Sequence, residues 1–430
     1  MEMTKYKLAD LCVSITDGEH GSVKDDSGST YFLLNNNNIT ESGIVINSKD
    51  RRISKKDFEK IHKRTNLECG DLVIATCGTL GKTCVIKDSL INYEFSRSVG
   101  IIKCNRKKLL PEYLHYFFLN PLVQSRIVGN AKGGVQKHFY IGDMKDFEIQ
   151  IPILAEQKKI ASVLSALDDK IALNKKMNQK LEAMAKRLYD YWFVQYDFPD
   201  KNGHPYKTTG GPMTYNETLK REIPVGWEVT RLGDLFKTNR GVSYSTPTLG
   251  TEGDGVPMIN LASFSPNESY NEKGIKYYKG EYTDEKVLKP FDFVMCNTQQ
   301  TAIDPQKDII GRSMLVPDIF DGDIVSSHHV NTIKLEKENL KFYLNRLFNT
   351  KFYHAYISKF ANGTNILGLI FSGVEDYMCE IPSDDLLEKF AKISLDIEKK
   401  KSKIIKENQK LTALRDKLLP LLMNGQVVVG

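Results

Sequence analysis

The chain repeats itself, and the repeat constrains the fold more than any other feature. Residues 177–188, MNQKLEAMAKRL, match residues 407–418, ENQKLTALRDKL, at six of twelve positions with an offset of 230. The same offset pairs 131–133 with 361–363, Asp146-Phe147 with Asp376-Tyr377 and Ile151-Pro152 with Ile381-Pro382. Upstream the match persists at offsets between 221 and 231. KLADL (7–11) answers RLGDL (231–235), and FLLNNNNI (32–39) answers PMINLASF (257–264). GDLVIATCGT (70–79) answers FDFVMCNTQQ (291–300), and the run from Ser98 answers that from His329. A repeat this long implies two like domains that differ mainly in their loops.

Each half opens with short β-type runs; 72–75, 84–86, 99–103 and 147–151 are rich in Val, Ile and aromatics and bounded by turn residues. Residues 111–119 read as a helix with Pro at its first position. Then comes a longer helical pattern. Ile160, Leu164, Leu167, Ile171, Asn174, Asn178, Leu181, Ala185 and Leu188 form one seam; Ile393, Ile397, Ile404, Asn408, Leu411 and Leu418 form its copy. About 36 residues per helix gives about 50–55 Å, and a seam this long favours helix–helix pairing. A buried asparagine costs stability but fixes register, so Asn178 and Asn408 are expected near matching contacts in the pair. The fold class is therefore mixed α+β: two similar α/β domains separated by two long coiled-coil-like helices, with an internal pseudo-two-fold repeat. The boundaries expected are 1–152, a helix at 153–195, a Pro/Gly-rich strap at 196–222, 223–382, and a helix at 383–430.

Enzyme signatures are missing. TCGTLGKT (76–83) ends like a phosphate loop but has Thr76 where the first glycine belongs, and a strand rather than a helix follows. It reads as a hairpin turned by Gly78 and Gly81. No Gly-x-Ser-x-Gly elbow and no metal-nuclease cluster occurs. His328 and His329, taken as strand residues, would face opposite ways, which is wrong for one metal. Seven cysteines without a CxxC pair suggest reduced thiols. With no signal pattern and no apolar run of about 18–20 residues, a cytoplasmic location without membrane attachment is expected.

Binding chemistry is present instead. Net charge is +6 with pI near 8.7, which suits a phosphate-bearing partner. Asn and Gln can pair bidentately with adenine, Arg and Lys with guanine, and such residues concentrate in loops. The first half offers His20, Ser22, Lys24, Asn36, Asn38, Thr79, Lys82, Arg97, Gln136, Lys137 and His138. The second offers Arg240, Ser243, Tyr244, Asn260, Asn297, Gln299, Gln300, Arg312, His328, Thr364 and Asn365. These are the candidate DNA contacts. A protein-binding coiled-coil adaptor without DNA specificity is the alternative reading.

Particular motifs add a resemblance. IPILAEQKKIASVLSALDDKI (151–171), YDYWFVQYDFPDKNGHPYKTTGG (189–211), IPVGWEVTRLGDL (223–235), TDGEHGS (16–22), GDLVIATCGTLGK (70–82) and KLLPLLMNGQV (417–427) together resemble type I restriction–modification specificity subunits. In the second half Asp385-Leu386 stand in for Glu156-Gln157, and NRGVSYS (239–245) lacks an Asp-Gly-x-His. The resemblance implies two target-recognition domains, each reading half of a split DNA sequence, held apart by two antiparallel helices that act as a ruler. It implies no catalysis by this chain and no cofactor of its own. The expected partners are double-stranded DNA, two modification subunits carrying S-adenosylmethionine, and restriction subunits using ATP and Mg.

Overall fold

A computed structural model describes residues 2–40, 43–132, 137–265, 270–300 and 308–429. The chain divides into two units, one of residues 1–173 with 408–430, the other of residues 174–407.

In the first unit a four-stranded antiparallel sheet runs in the order Cys12–Asp17, Val99–Cys104, Leu72–Ala75, Thr83–Val85. Its apolar runs are nearly continuous because both faces are covered. Ile15, Leu72, Ile74 and Ile102 join one core with the helix Pro111–Leu119. Val73, Ala75, Val99 and Ile101 join another with Leu34, Tyr93 and Phe95. The sequence reading placed three of these strands and this helix within a residue or so; Cys12–Asp17 it did not name.

The second unit repeats the plan. Its sheet runs Phe236–Arg240, Val330–Leu335, Phe293–Cys296, Ser313–Leu315. Here too one face, with Phe293, Met295 and Ile333, packs into one core while the other, with Val294, Cys296 and Val330, packs into a second. Each unit also has a second sheet, three-stranded in the first and five-stranded in the second, with one parallel pair: Tyr31–Leu34 beside Tyr93–Phe95, and Val256–Ile259 beside Ile324–Ser326. In each, the strand preceding the long helix is clamped to the strand that opens the repeat, Glu148–Ile151 to Thr4–Lys7 and Met378–Ile381 to Glu228–Arg231.

The segment 196–222 is more ordered than its Pro and Gly content suggests. Met213–Asn216 and Arg221–Pro224 form a hairpin. Phe198, Ile223 and Trp227 join the large aromatic core of the second unit, next to Trp192, Phe193 and Phe390.

The long helices are Leu154–Tyr189 and Asp384–Met423. Both contribute to both units, and within each unit their segments run antiparallel. In the second, Asn174 bonds Glu407 and Glu182 bonds Lys401. In the first, Arg415 bonds Asp168, and Ile160 and Leu164 share a core with Leu419 and Leu422. Of the expected seam, Ile160, Leu164, Ile171, Ile397, Ile404 and Asn408 are buried; Leu167, Asn178, Leu181, Leu188, Leu411 and Leu418 are half-buried. Ile393 is a correction: at 39% exposure it lies off the seam. The inward face steps through Phe390, Ser394, Ile397, Lys401, Ile404 and Asn408, a 4-3-4-3-4 spacing in which Ser394 takes the place assigned to Ile393. Asn174 rather than Asn178 is the fully buried asparagine of the central helix, 1% exposed, donating to Glu407 Oε2 at 2.9 Å.

Candidate nucleic-acid interface

In the first unit five loops meet at one end of the main sheet. The chain leaves Cys12–Asp17 and passes close under the turn that follows Tyr93–Phe95: Glu19 N–H donates to Phe95 O at 2.7 Å and Arg97 N–H to Glu19 O at 2.9 Å. Only glycine permits this approach, because a Cβ on Gly18 would lie 2.0 Å from Phe95 O. Beyond it His20 is exposed, its Nε2 2.7 Å from Asp17 Oδ2; Ser22 and Lys24 are exposed on the same loop. Asn36 donates from Nδ2 to Cys77 O at 3.1 Å and from its backbone to Ser98 Oγ at 3.2 Å. That ties the asparagine loop to the glycine hairpin and to the Arg97 turn. The hairpin turns as read, with Gly78 and Gly81 at φ of 67° and 79°. Thr79 is exposed and Lys82 half-buried. His138 bridges to Cys77 and stacks on Tyr140, with exposed Lys137 alongside. Gln136 lies outside the described residues.

The second unit builds the same junction from different side chains. Gly241 takes the place of Gly18, a Cβ there meeting Ser326 O at 2.1 Å. Val242 bridges to Ser327 as Glu19 does to Ser96. The missing Asp-Gly-x-His is thus a difference of side chains on a retained glycine. Arg240 is exposed and donates from Nε to His328 O at 2.8 Å; Ser243 is exposed. Tyr244 lies 5.5 Å from His328 with Lys276 over its ring at 4.9 Å. Arg312 follows Gly311 at the hairpin exit as Lys82 follows Gly81, each carbonyl accepting from the strand, Cys296 N–H and Ala75 N–H respectively. Thr364 and Asn365 are exposed between Ala361–Asn362 and Ile366–Leu369, the latter paired with Thr298–Gln300.

Four of the candidates turn inward, Asn297 among them, 8% exposed and donating from Nδ2 to His328 O at 3.2 Å. Asn38 is 3% exposed and donates to Val45 O and Asp50 Oδ2. Asn260, which caps the second unit's short helix as Asn35 caps the first's, donates to Gly274 O at 2.6 Å. Gln299 is 4% exposed and accepts from Ile309 and Ile310 N–H. Their amides satisfy backbone groups that burial would otherwise orphan, so these side chains brace the loops. The side chain of Gln300 is not described.

His328 and His329 do not point apart. They occupy the turn before Val330–Leu335, and their rings stand 3.8 Å apart. Burial and the nearby Arg240 hold both imidazoles below the usual range, His329 at about 4. The pair is therefore neutral near pH 7 and can donate or accept without adding charge. Around it Asn297 Oδ1, Ser327 Oγ and His328 Nδ1 are buried with no hydrogen-bond partner among the described residues. Leaving such groups unpaired costs about 1–3 kcal/mol each, a concentration typical of sites that meet a ligand. His329, Ser327, Lys276 and Tyr140 escaped the sequence reading. For Ser327 and His329 the offset of 231 from Ser96 and Ser98 was the available signal.

No group of three or more His, Cys, Asp or Glu among the described residues could hold a metal ion, and no described helix is long and apolar enough to cross a membrane.

Residues 2–183 match the family model described as "Type I restriction modification DNA specificity domain". The first unit is thus similar to the DNA specificity domain of type I restriction–modification systems. Among curated relatives it is 26% identical to the type I restriction enzyme MjaIX specificity subunit of Methanocaldococcus jannaschii, over 90% of this chain and 84% of that one. It is 24% identical to the HindI specificity subunit of Haemophilus influenzae, over 81% of this chain and 84% of the relative. The crystal structure of a type I S subunit from M. genitalium shares the fold, with a TM-score of 0.57 at 17% identity, covering 98% of this chain and 96% of that one. The matched residues 2–183 hold all five loops of the first unit. The second set comes through the internal repeat.

Proposed function

We propose that the chain is the DNA-reading subunit of a type I restriction–modification complex, each unit reading one half of a bipartite, asymmetric target. The observation that carries this is the doubled loop junction: one backbone frame, pinned by Gly18 and Gly241, presents two different sets of polar side chains. Two unlike half-sites require that arrangement. Exposed Arg97, Lys137, Arg240, Thr79, His20, Thr364 and Asn365, with half-buried Lys82 and Arg312, are the proposed contacts. Basic groups hold phosphates while the amides, hydroxyls and neutral imidazoles meet base edges.

Helices of 36 and 40 residues, about 54 and 60 Å at 1.5 Å per residue, would set the unread spacer, since one face of DNA presents its groove every 34–36 Å. The chain itself carries out no chemistry in this reading and binds no cofactor. Methyl transfer with S-adenosylmethionine, and cleavage driven by ATP with Mg, belong to modification and restriction subunits that it recruits, in the cytoplasm.

Sequencing of methylated positions in cells with and without this chain tests the proposal. A split motif that vanishes with the gene is expected; an unsplit motif, or none, overturns it.

A further inference from the structure

The first unit carries a helix, Lys55–Thr65, for which the second has no counterpart among the described residues. It is firmly seated. Phe58, Ile61 and Thr65 are buried, Phe58 lies 4.6 Å from Tyr31, and Leu33 and Ile53 complete the small core. Ser54 Oγ accepts from Asp57 N–H at 3.1 Å, and Asn66, at φ 46°, ends the helix. Fully buried Glu94 accepts from Thr65 Oγ1 at 2.9 Å and lies 2.7 Å from His62 Nδ1.

The opposite face is basic. At about 100° per residue, Lys56, Lys60 and Lys63 fall within about 60° of one another and directly away from Phe58, Ile61 and Thr65. All three are exposed, and none has an ion-pair partner among the described residues; Glu59 on that side is engaged by Lys55 at 3.7 Å. Three like charges on adjacent turns repel, and the one acid on that side of the helix, Glu59, is shared with Lys55. Next to Lys63, Arg64 donates to Gly18 O at 2.7 Å and Asp17 O at 2.9 Å, which binds the helix end to the His20 loop. The equivalent stretch of the second unit differs in charge. Between Asn38 and Leu72 the sequence has eight Lys and Arg against six Asp and Glu; between Ser263 and Phe293 it has five against six.

We infer that this helix is a phosphate-gripping arm peculiar to the first unit, with Lys56, Lys60 and Lys63 holding the sugar–phosphate strand beside the half-site that the unit's loops read. The inference rests on the DNA reading proposed above. Charge complementarity and continuity with the His20 loop carry it. From Lys56 to Lys63 the helix rises about 10 Å, comparable with three phosphates at about 3.4 Å of axial rise each.

The test titrates the full-length chain onto a random-sequence duplex of about 40 base pairs between about 0.05 and 0.2 M salt. The variants are K56Q/K60Q/K63Q and, removing the same charge elsewhere, K392Q/K399Q/K403Q. All six lysines are exposed, and melting curves confirm that folding is retained. Each phosphate contact contributes about 0.9 to the slope of log affinity against log salt. The arm variant should therefore show a slope smaller by about 2–3, while the control keeps the wild-type slope. An unchanged slope in the arm variant, or an equal drop in both variants, overturns the arm and leaves the DNA reading standing. A wild-type chain whose binding ignores salt overturns the DNA reading itself.

Discussion

Two glycines bear the tightest local constraint. A methyl group on Gly18 or Gly241 would overlap carbonyl oxygens of the opposing turn, and the backbone there cannot retreat without breaking the bonds of Glu19 or Val242. Gly18→Ala and Gly241→Ala should each cost about 1–3 kcal/mol, measured by denaturant unfolding, and each should weaken recognition of one half-site only. Loss of both half-sites from one substitution would contradict independent loop junctions. His329 supplies a pH signature. Folded, it stays neutral to about pH 4; unfolded, it protonates near 6.5. The unfolded chain thus binds the extra proton, so this contribution is full above about pH 6.5 and declines as pH falls toward 4. His329→Asn should lose less stability than wild type between pH 7 and 5, and parallel curves would refute the assignment.

Among the elements, the long helices are held by more than apolar contact. Gln157, fully buried in the first turn of the central helix, accepts from Leu110 N–H and donates to Lys108 O and Pro152 O, all at about 3.0 Å or less. It straps the helix to its own unit; at the 230 offset its counterpart is Leu387, one residue beyond the Leu386 set against it in the sequence, and Leu387 is buried without such bonds. Gln157→Leu should destabilise the chain by about 1–3 kcal/mol by orphaning Leu110 N–H; a neutral effect in thermal melts would show water replacing it.

In the second unit Arg346 bonds Glu182 and Glu398, and Lys401 bonds the same two carboxylates at 2.6 and 3.0 Å. Burial alone would raise the Glu182 carboxyl, but Arg346 and Lys401 hold it at about 2 against an ordinary 4.5. Its stabilisation is therefore full above about pH 4.5 and lost as pH falls toward 2. Arg346→Met leaves two carboxylates facing one lysine and should cost about 3–5 kcal/mol. A melting temperature within error of wild type would refute that role.

For the whole molecule, the doubled plan makes recognition modular. Exchanging residues 1–150 for the matching residues of a type I specificity subunit should change one half-site in the methylation pattern and leave the other and the spacer unaltered. A change in both would mean that the units read jointly. Modularity follows from sheets of identical strand order, each with two cores of its own. The hydrophobic pattern of the two copies specifies each frame separately.

By itself the sequence determined the duplication, three of the first unit's main-sheet strands, the long helices and the polar loops, because these follow from periodicity, turn residues and local spacing. Tertiary structure decided which polar side chains remain available. Asn36 and Asn38 are near neighbours in a run of four asparagines, yet Asn38 is consumed by Val45 and Asp50 while Asn36 ties the hairpin to the Arg97 turn. Gln299 likewise serves the backbone of Ile309 and Ile310. Composition cannot separate these cases, because burial is set by chain segments that approach from far along the sequence. The same reason hid the histidine pair. Neighbouring residues in a strand face apart, but His328 and His329 sit in a turn whose path is fixed by Val242 and Asn297. Their meeting is a property of the fold and not of the dipeptide.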